Sequence, residues 1–195
     1  MKKYLFLLLP FVVKVGFGQS WTKQYTHVND FHNGLAVVEK DDKHGFVNEN
    51  GKLVIPLKFD ESLGFSEGLA AVRVENKWGF IDTLGNEVVP CTYYEVFSFS
   101  EGMAVVSKAE KYGFINKEGK AVIPNSYNYA ENFSDGLAAV SNEKGLWGYI
   151  NKEGKQVVGF LYTYAKSFSQ GEARVMKGGK WMVINKENKV LRYEE

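Results

Sequence analysis

Only one cysteine, Cys91, stands in 195 residues, so no disulfide can form within the chain. A lone thiol of this kind reads as buried and unreactive. Proline is scarce, at four residues, which excludes a collagen-like or proline-rich disordered chain. A dominant sign of charge is missing too. The 24 basic and 23 acidic residues are interspersed, which gives no electrostatic footprint for nucleic acid or an acidic membrane surface. Long hydrophobic runs are absent except at the start, where residues 4–13 form an apolar stretch of ten. As a helix it would rise only ~15 Å, about half a bilayer core, too little for a permanent anchor. Lys2 and Lys3 precede it, Lys14 ends it, and Gly16 and Gly18 stand before Gln19. That order reads as a secretory signal peptide over residues 1–18. Cleavage there removes three lysines and leaves 21 basic against 23 acidic residues, a net charge of −2. The reading places the mature chain, residues 19–195, in the periplasm, on the cell surface or in the medium, with no membrane insertion.

What the sequence has in plenty is aromatic residues, 15% of the chain, and a period. Aromatic side chains suit a pleated, half-buried surface. Phe31, Phe65, Phe99, Phe133 and Phe168 are spaced 34, 34, 34 and 35 residues apart, each followed three positions on by Gly34, Gly68, Gly102, Gly136 or Gly171. Next come His44-Gly45, Trp78-Gly79, Tyr112-Gly113, Trp147-Gly148 and, in the last copy, Trp181-Met182. Gly51, Gly85, Gly119 and Gly154 close each unit, with Asn188 in the fifth. The extra residue of the fourth copy falls at Lys144-Gly145-Leu146, where it lengthens a turn without disturbing a core. Such a period is the mark of a repeat architecture.

Each copy divides into strands. Residues 69–74 form an apolar segment of strand length, Glu75-Asn76 a two-residue turn, and residues 77–81 a second strand with Trp78 and Phe80 on one face. Asp82 to Gly85, and the two Asn-Lys-Glu-Gly runs at 116–119 and 151–154, match a type I turn closed by a left-handed residue. A third strand follows, and Pro56, Pro90 and Pro124 read as strand ends because proline cannot donate to a ladder. A fourth short segment, residues 93–99, leads to the next copy, and its equivalent, residues 25–31, precedes the first.

These residues resemble the WG repeat (also called KWG repeat) family of bacteria. The likeness rests on G-L-A-x-V, then K-W-G-F-I-[DN]-x-x-G-x-x-V-[IV]-P, then Y-x-x-A-x-x-F-S-x-G, and it covers about residues 25–193. His44, Gly159, Met182 and Asn188 depart from the pattern. The resemblance implies a β-repeat architecture and an exported or surface-associated protein, with no catalytic residues belonging to the motif.

The fold expected is all-β, five antiparallel β-meander repeats in an open, twisted, solenoid-like stack; the alternative is a closed five-bladed β-propeller. The last copy favours the open stack. The positions held by Leu35, Leu69, Met103 and Leu137 become Glu172, and those held by Val37, Ala71, Val105 and Ala139 become Arg174, while Ala173 and Val175 keep the other face apolar. A terminal repeat needs one polar face, whereas a ring has no end.

The search for chemistry yields little. His27, His32 and His44 form no set with metal-ligand spacing, and no phosphate loop, dinucleotide fingerprint, nucleophile elbow or zinc motif occurs. No catalytic residue, metal or cofactor is assigned. The evenly spaced Trp78, Tyr112, Trp147 and Trp181 are candidates for stacking a ligand, though stapling each hairpin to the next is the simpler role. The reading that follows is a non-catalytic binding or scaffolding module for a protein or envelope glycan. An envelope-polymer hydrolase or a structural part of a surface complex are the alternatives.

Overall fold

The computed structural model describes residues 20–194, so the segment read as a signal peptide, residues 1–18, lies outside the described residues. Twenty strands form five four-stranded antiparallel sheets, and in each sheet the strands pair in sequence order. The first sheet holds β1–β4 (His27–Val28, Leu35–Lys40, Lys43–Asn48 and Leu53–Phe59). The second holds β5–β8 (Glu61–Ser62, Leu69–Val74, Lys77–Asp82 and Glu87–Tyr93). The third holds β9–β12 (Glu95–Val96, Met103–Lys108, Lys111–Asn116 and Ala121–Tyr127). The fourth holds β13–β16 (Tyr129–Ala130, Ala138–Ser141, Trp147–Ile150 and Gln156–Tyr162). The fifth holds β17–β20 (Tyr164–Ala165, Glu172–Lys177, Lys180–Asn185 and Val190–Glu194). Each sheet is one contiguous stretch, the short lead-in strand included, so no sheet is shared between the chain ends.

Turn chemistry sets the registers. Glu75-Asn76, Asp41-Asp42, Ala109-Glu110 and Gly178-Gly179 all have two successive positive φ angles, the type I′ geometry whose twist matches paired strands. The fourth copy replaces it with a longer loop in which Gly145 N donates to Asn142 O, as the extra residue required. The second turn of each copy is held by its first side chain. Asp82 Oδ1 accepts from Leu84 N and Asn86 N, and Asn48, Asn116, Asn151 and Asn185 accept from the residue four further on.

The prolines do not end strands. β4, β8 and β12 run through Pro56, Pro90 and Pro124, which sit where the pairing register shifts at a bulge on an outer strand. There a missing N–H costs no ladder bond. The bulge also explains the paired glycine. A Cβ on Gly79 would lie 2.3 Å from Val89 O and 2.7 Å from Cys91 N, and Gly45, Gly113 and Gly148 meet the same crowding. Where the last strand carries no proline, Met182 pairs in unbroken register with Tyr193 and a side chain fits.

The core lies between the sheets. Leu69, Ala71, Phe80 and Val89 of the second sheet face Phe99, Ala104, Val106 and Ile115 of the third, and the arrangement recurs at every junction. At its centre one ring meets another: Phe46–Phe65, Phe80–Phe99 and Phe114–Phe133 have centroids 4.9 Å apart, and Tyr149–Phe168 4.7 Å. Tyr149, which replaces phenylalanine, keeps its buried hydroxyl satisfied by donating to Lys166 O at 2.6 Å. A polar ladder ties the sheet ends. Ser66, Ser100 and Ser134 hydroxyls donate to Phe99, Phe133 and Phe168 carbonyls one repeat on. Glu67, Glu101 and Asp135 carboxylates accept from Gly102, Gly136 and Gly171 N–H groups in the same way.

The last copy's charges find partners within their own sheet. On the fifth sheet Arg174 pairs with Glu194 at 2.6 Å and Arg192 with Glu172 at 2.8 Å, and Val183 between them is buried. At the other end Ala36, Val38 and Val47 are covered by Trp21, Tyr25, Val28 and Phe31. Among the described residues no core cluster joins the fifth sheet to the first.

Candidate aromatic binding edge

Two positions on each sheet decide what one edge of the stack presents. The second residue of β3, β7, β11 and β19, and the first of β15, supply His44, Trp78, Tyr112, Trp181 and Trp147. All five are half-buried, and Trp78, Tyr112 and Trp147 pack against the cores between successive sheets. The stapling role is therefore real. From the third sheet onward the same rings do more, because the lead-in strands β13 and β17 place Tyr129 and Tyr164 between them. Tyr112–Tyr129, Tyr129–Trp147, Trp147–Tyr164 and Tyr164–Trp181 follow one another at centroid separations of 5.0, 5.7, 5.8 and 5.7 Å. The result is a continuous ribbon of five rings, with Tyr129 36% and Tyr164 41% exposed.

Trp78 lies outside the ribbon. Its neighbour is the Arg73 guanidinium, 5.8 Å from the ring centre and bonded to Glu61 at 2.5 Å. His44 Nδ1 sits 3.2 Å from Ser62 Oγ, in a polar setting. Sequence reasoning thus singled out three ribbon residues and missed Tyr129 and Tyr164. Their position, four before each repeat phenylalanine, is His27, Glu61 and Glu95 in the first three copies. A search for features common to all copies passes over it.

Where the ribbon begins, a cavity of about 810 Å³ opens between Tyr94 and Tyr112, with Glu95, Glu110, Ser107 and Asn128 on its walls. The Ala109-Glu110 turn forms one lip, and Tyr94 is 58% exposed. The Tyr112 hydroxyl donates to Glu95, and burial together with that carboxylate pushes the phenol far above its ordinary range. Burial also raises Tyr129, helped by Glu131 and Glu95. Glu131 itself is held above the usual carboxylate range by burial. At the ribbon's far end, Trp181, Tyr193, Lys180 and Glu194 line a second hollow of about 430 Å³.

The remaining candidates stay dispersed. His27 and His32 are exposed, and among the described residues no group of three His, Cys, Asp or Glu side chains is placed to hold a metal. Cys91 is half-buried rather than buried. Its thiol lies 3.7 Å from Val72 O, and burial, then Glu87, pushes its pKa up, away from the reactive thiolate. Among the described residues no helix is long and apolar enough to cross a membrane.

Three solved structures show what the stack is like. The computationally designed Ika8 protein shares 12% identity over 86% of this chain and 61% of its own, with a TM-score of 0.56. Hsv2 of Kluyveromyces lactis shares 13% over 85% and 62%, with a TM-score of 0.54. The C-terminal WD40 domain of Sif2 shares 13% over 87% and 57%, with a TM-score of 0.52. The likeness is one of fold alone: the five sheets succeed one another like propeller blades, and the chain spans about three fifths of the lengths it matches. No curated protein matches the sequence. The WG containing repeat is matched five times, over residues 22–43, 45–78, 78–112, 112–145 and 147–181, in phase with the Trp-Gly strands. The chain belongs to the WG containing repeat family.

Proposed function

We propose that the chain is an exported, non-catalytic module that binds or scaffolds a protein or an envelope glycan along its aromatic edge. The observation that carries this reading is the five-ring ribbon, which extends across three sheets while the rest of the repeat serves packing. Solenoid-like stacks commonly recognise partners over such extended surfaces. Packing alone explains the half-buried Trp147; it does not call for Tyr129 and Tyr164, which occupy exposed positions where other copies carry Glu61 and Glu95. The test is to immobilise residues 19–195 and challenge them with envelope fractions. Retention of a component, lost with Tyr129→Ala/Tyr164→Ala, supports the reading. Reproducible failure to retain anything, or retention unchanged by the double variant, counts against it.

A hydrolase acting on an envelope polymer is the second reading, and Glu131 favours it. Its carboxyl is held above the usual carboxylate range by burial and its charge is felt at the ribbon's Tyr129, a placement a general acid beside the ribbon would need. Turnover of peptidoglycan or polysaccharide that is abolished by Glu131→Gln would replace the first reading with this one.

A further inference from the structure

We propose that the 810 Å³ groove and the aromatic ribbon together bind an extended, uncharged polysaccharide, an assignment that rests on the binding reading above. The two features are continuous, because Tyr112 is both a wall of the groove and the first ring of the ribbon. A ligand seated in one is led onto the other.

The chemistry of each part narrows the class. The groove's volume lies within the range of small-ligand sites. Its polar lining holds acceptors: the Glu110 carboxylate, the Ser107 hydroxyl and the Glu95 oxygen that Tyr112 does not engage, beside an Asn128 amide oxygen taken by Lys111. Such a lining suits a ligand made of hydroxyl donors. The ribbon offers ring surface with phenol hydroxyls, and neighbouring rings are tilted 48–58° along most of its length. A corrugated aromatic strip of this kind meets the C–H surfaces of pyranose rings and needs a ligand that is itself long.

The same residues argue against other polymers. Carboxylates at Glu95 and Glu110 repel phosphates and uronic acids, the Lys77 and Lys111 ammoniums beside the groove are engaged by the Tyr94 ring and the Asn128 amide, and a nucleic acid would need a cationic track along its backbone. A protein partner would be anchored by an apolar or aromatic side chain in an enclosed, desolvated pocket. The groove here is open and walled by acceptors.

The experiment is affinity electrophoresis of residues 19–195 in gels containing hydroxyethylcellulose, xyloglucan or glycol chitosan acetylated to neutrality, with alginate as the anionic control. Retardation by at least one uncharged polymer and not by alginate is expected. Tyr129→Ala and Tyr164→Ala should each weaken binding about tenfold, in keeping with one lost ring contact. Both residues are partly exposed, and circular dichroism serves to show that the variants are folded. No retardation by any uncharged polymer overturns the assignment, as does retardation that both variants leave unchanged. If an envelope protein is retained through Tyr129 and Tyr164 while no glycan binds, the binding reading stands and the polysaccharide assignment falls. If neither experiment depends on the ribbon, both fall.

Discussion

At the N-terminal end of the stack an apolar sheet face, Ala36, Val38 and Val47, lies under Trp21, Tyr25 and Phe31; at the C-terminal end the matching face carries Glu172, Arg174, Arg192 and Glu194, paired with one another. One end imports a lid and the other changes its residues. Both answer the same constraint, since a sheet built to pack on a neighbour exposes apolar surface wherever the neighbours run out. The lid imitates what it replaces. A Cβ on Gly51 would strike the Trp21 ring, just as one on Gly85 or Gly154 would press on Ile55 or Ile123 of the preceding repeat. Trp21 thus meets Gly51 as Ile55 of one repeat meets Gly85 of the next. The charged end needs no such mimic, because unpaired burial of Glu172 and Arg174 would cost more than any contact they could make there.

The sharpest way to break the comparison is to remove the lid. Trp21→Ala should cost about 2 kcal/mol, below the range for a fully buried aromatic because Trp21 is half-buried, whereas Glu194→Ala at the other end should cost under about 1 kcal/mol, as exposed ion pairs do. Urea denaturation of the two variants checks both, and equal losses would contradict the account. Next in size is the contrast between an interior copy and the last. Gly113→Ala places a Cβ 2.6 Å from Ile123 O and should destabilise by about 2 kcal/mol, although position 182 carries methionine, where the register runs unbroken from Trp181 to Val183. Thermal unfolding reads the difference.

Turning the charged face apolar, with Glu172→Leu, Arg174→Val and Arg192→Leu, should leave the monomer within about 1 kcal/mol of its stability. It should also make the protein associate in a concentration-dependent way. Sedimentation velocity reports this, and a strictly monomeric triple variant would show that the charges do not guard that end.

The smallest effects concern two carboxylates whose shifts run in opposite directions. Burial opposes the charge on Glu67, but the bonds from Lys117 and Gly102 N–H outweigh it and hold the carboxyl below its ordinary value of 4.5. Its stabilising contribution is present above that value and lost as pH falls through the folded one. Glu131, raised by burial, has the reverse sign: its folded form favours the proton, and that contribution is lost as pH rises through the raised value. Glu67→Gln should therefore lower the melting temperature at neutral pH, and Glu131→Gln should raise it. Both differences should fade in acid, and together amount to a few tenths of a kcal/mol.

Much of this was legible in the sequence because the repeat states it five times. The strand beginning at Leu69, the turn at Glu75-Asn76, the longer fourth turn and the meaning of Glu172 and Arg174 all follow from comparing copies. What occurs once was harder to see. Trp21 has no counterpart in any copy, and its role depends on where the chain folds back. Pro90 reads as a strand end by its missing N–H, but an outer strand with a bulge tolerates it. The ribbon was half legible for the same reason: Tyr112, Trp147 and Trp181 share a position in every copy, while Tyr129 and Tyr164 fill one that is acidic in the second and third copies.

The measurement that bears most directly on the open stack is a spin-label distance between Asp42 and Gly178, each changed to cysteine in a Cys91→Ala background. These sites lie on equivalent turns of the first and fifth sheets, and a label pair at Asp42 and Asn76 gives the spacing of adjacent sheets for reference. The account predicts a first-to-fifth distance well beyond the adjacent one. Equal distances would mean that the ring is closed and that neither Trp21 nor the charged pairs mark an end.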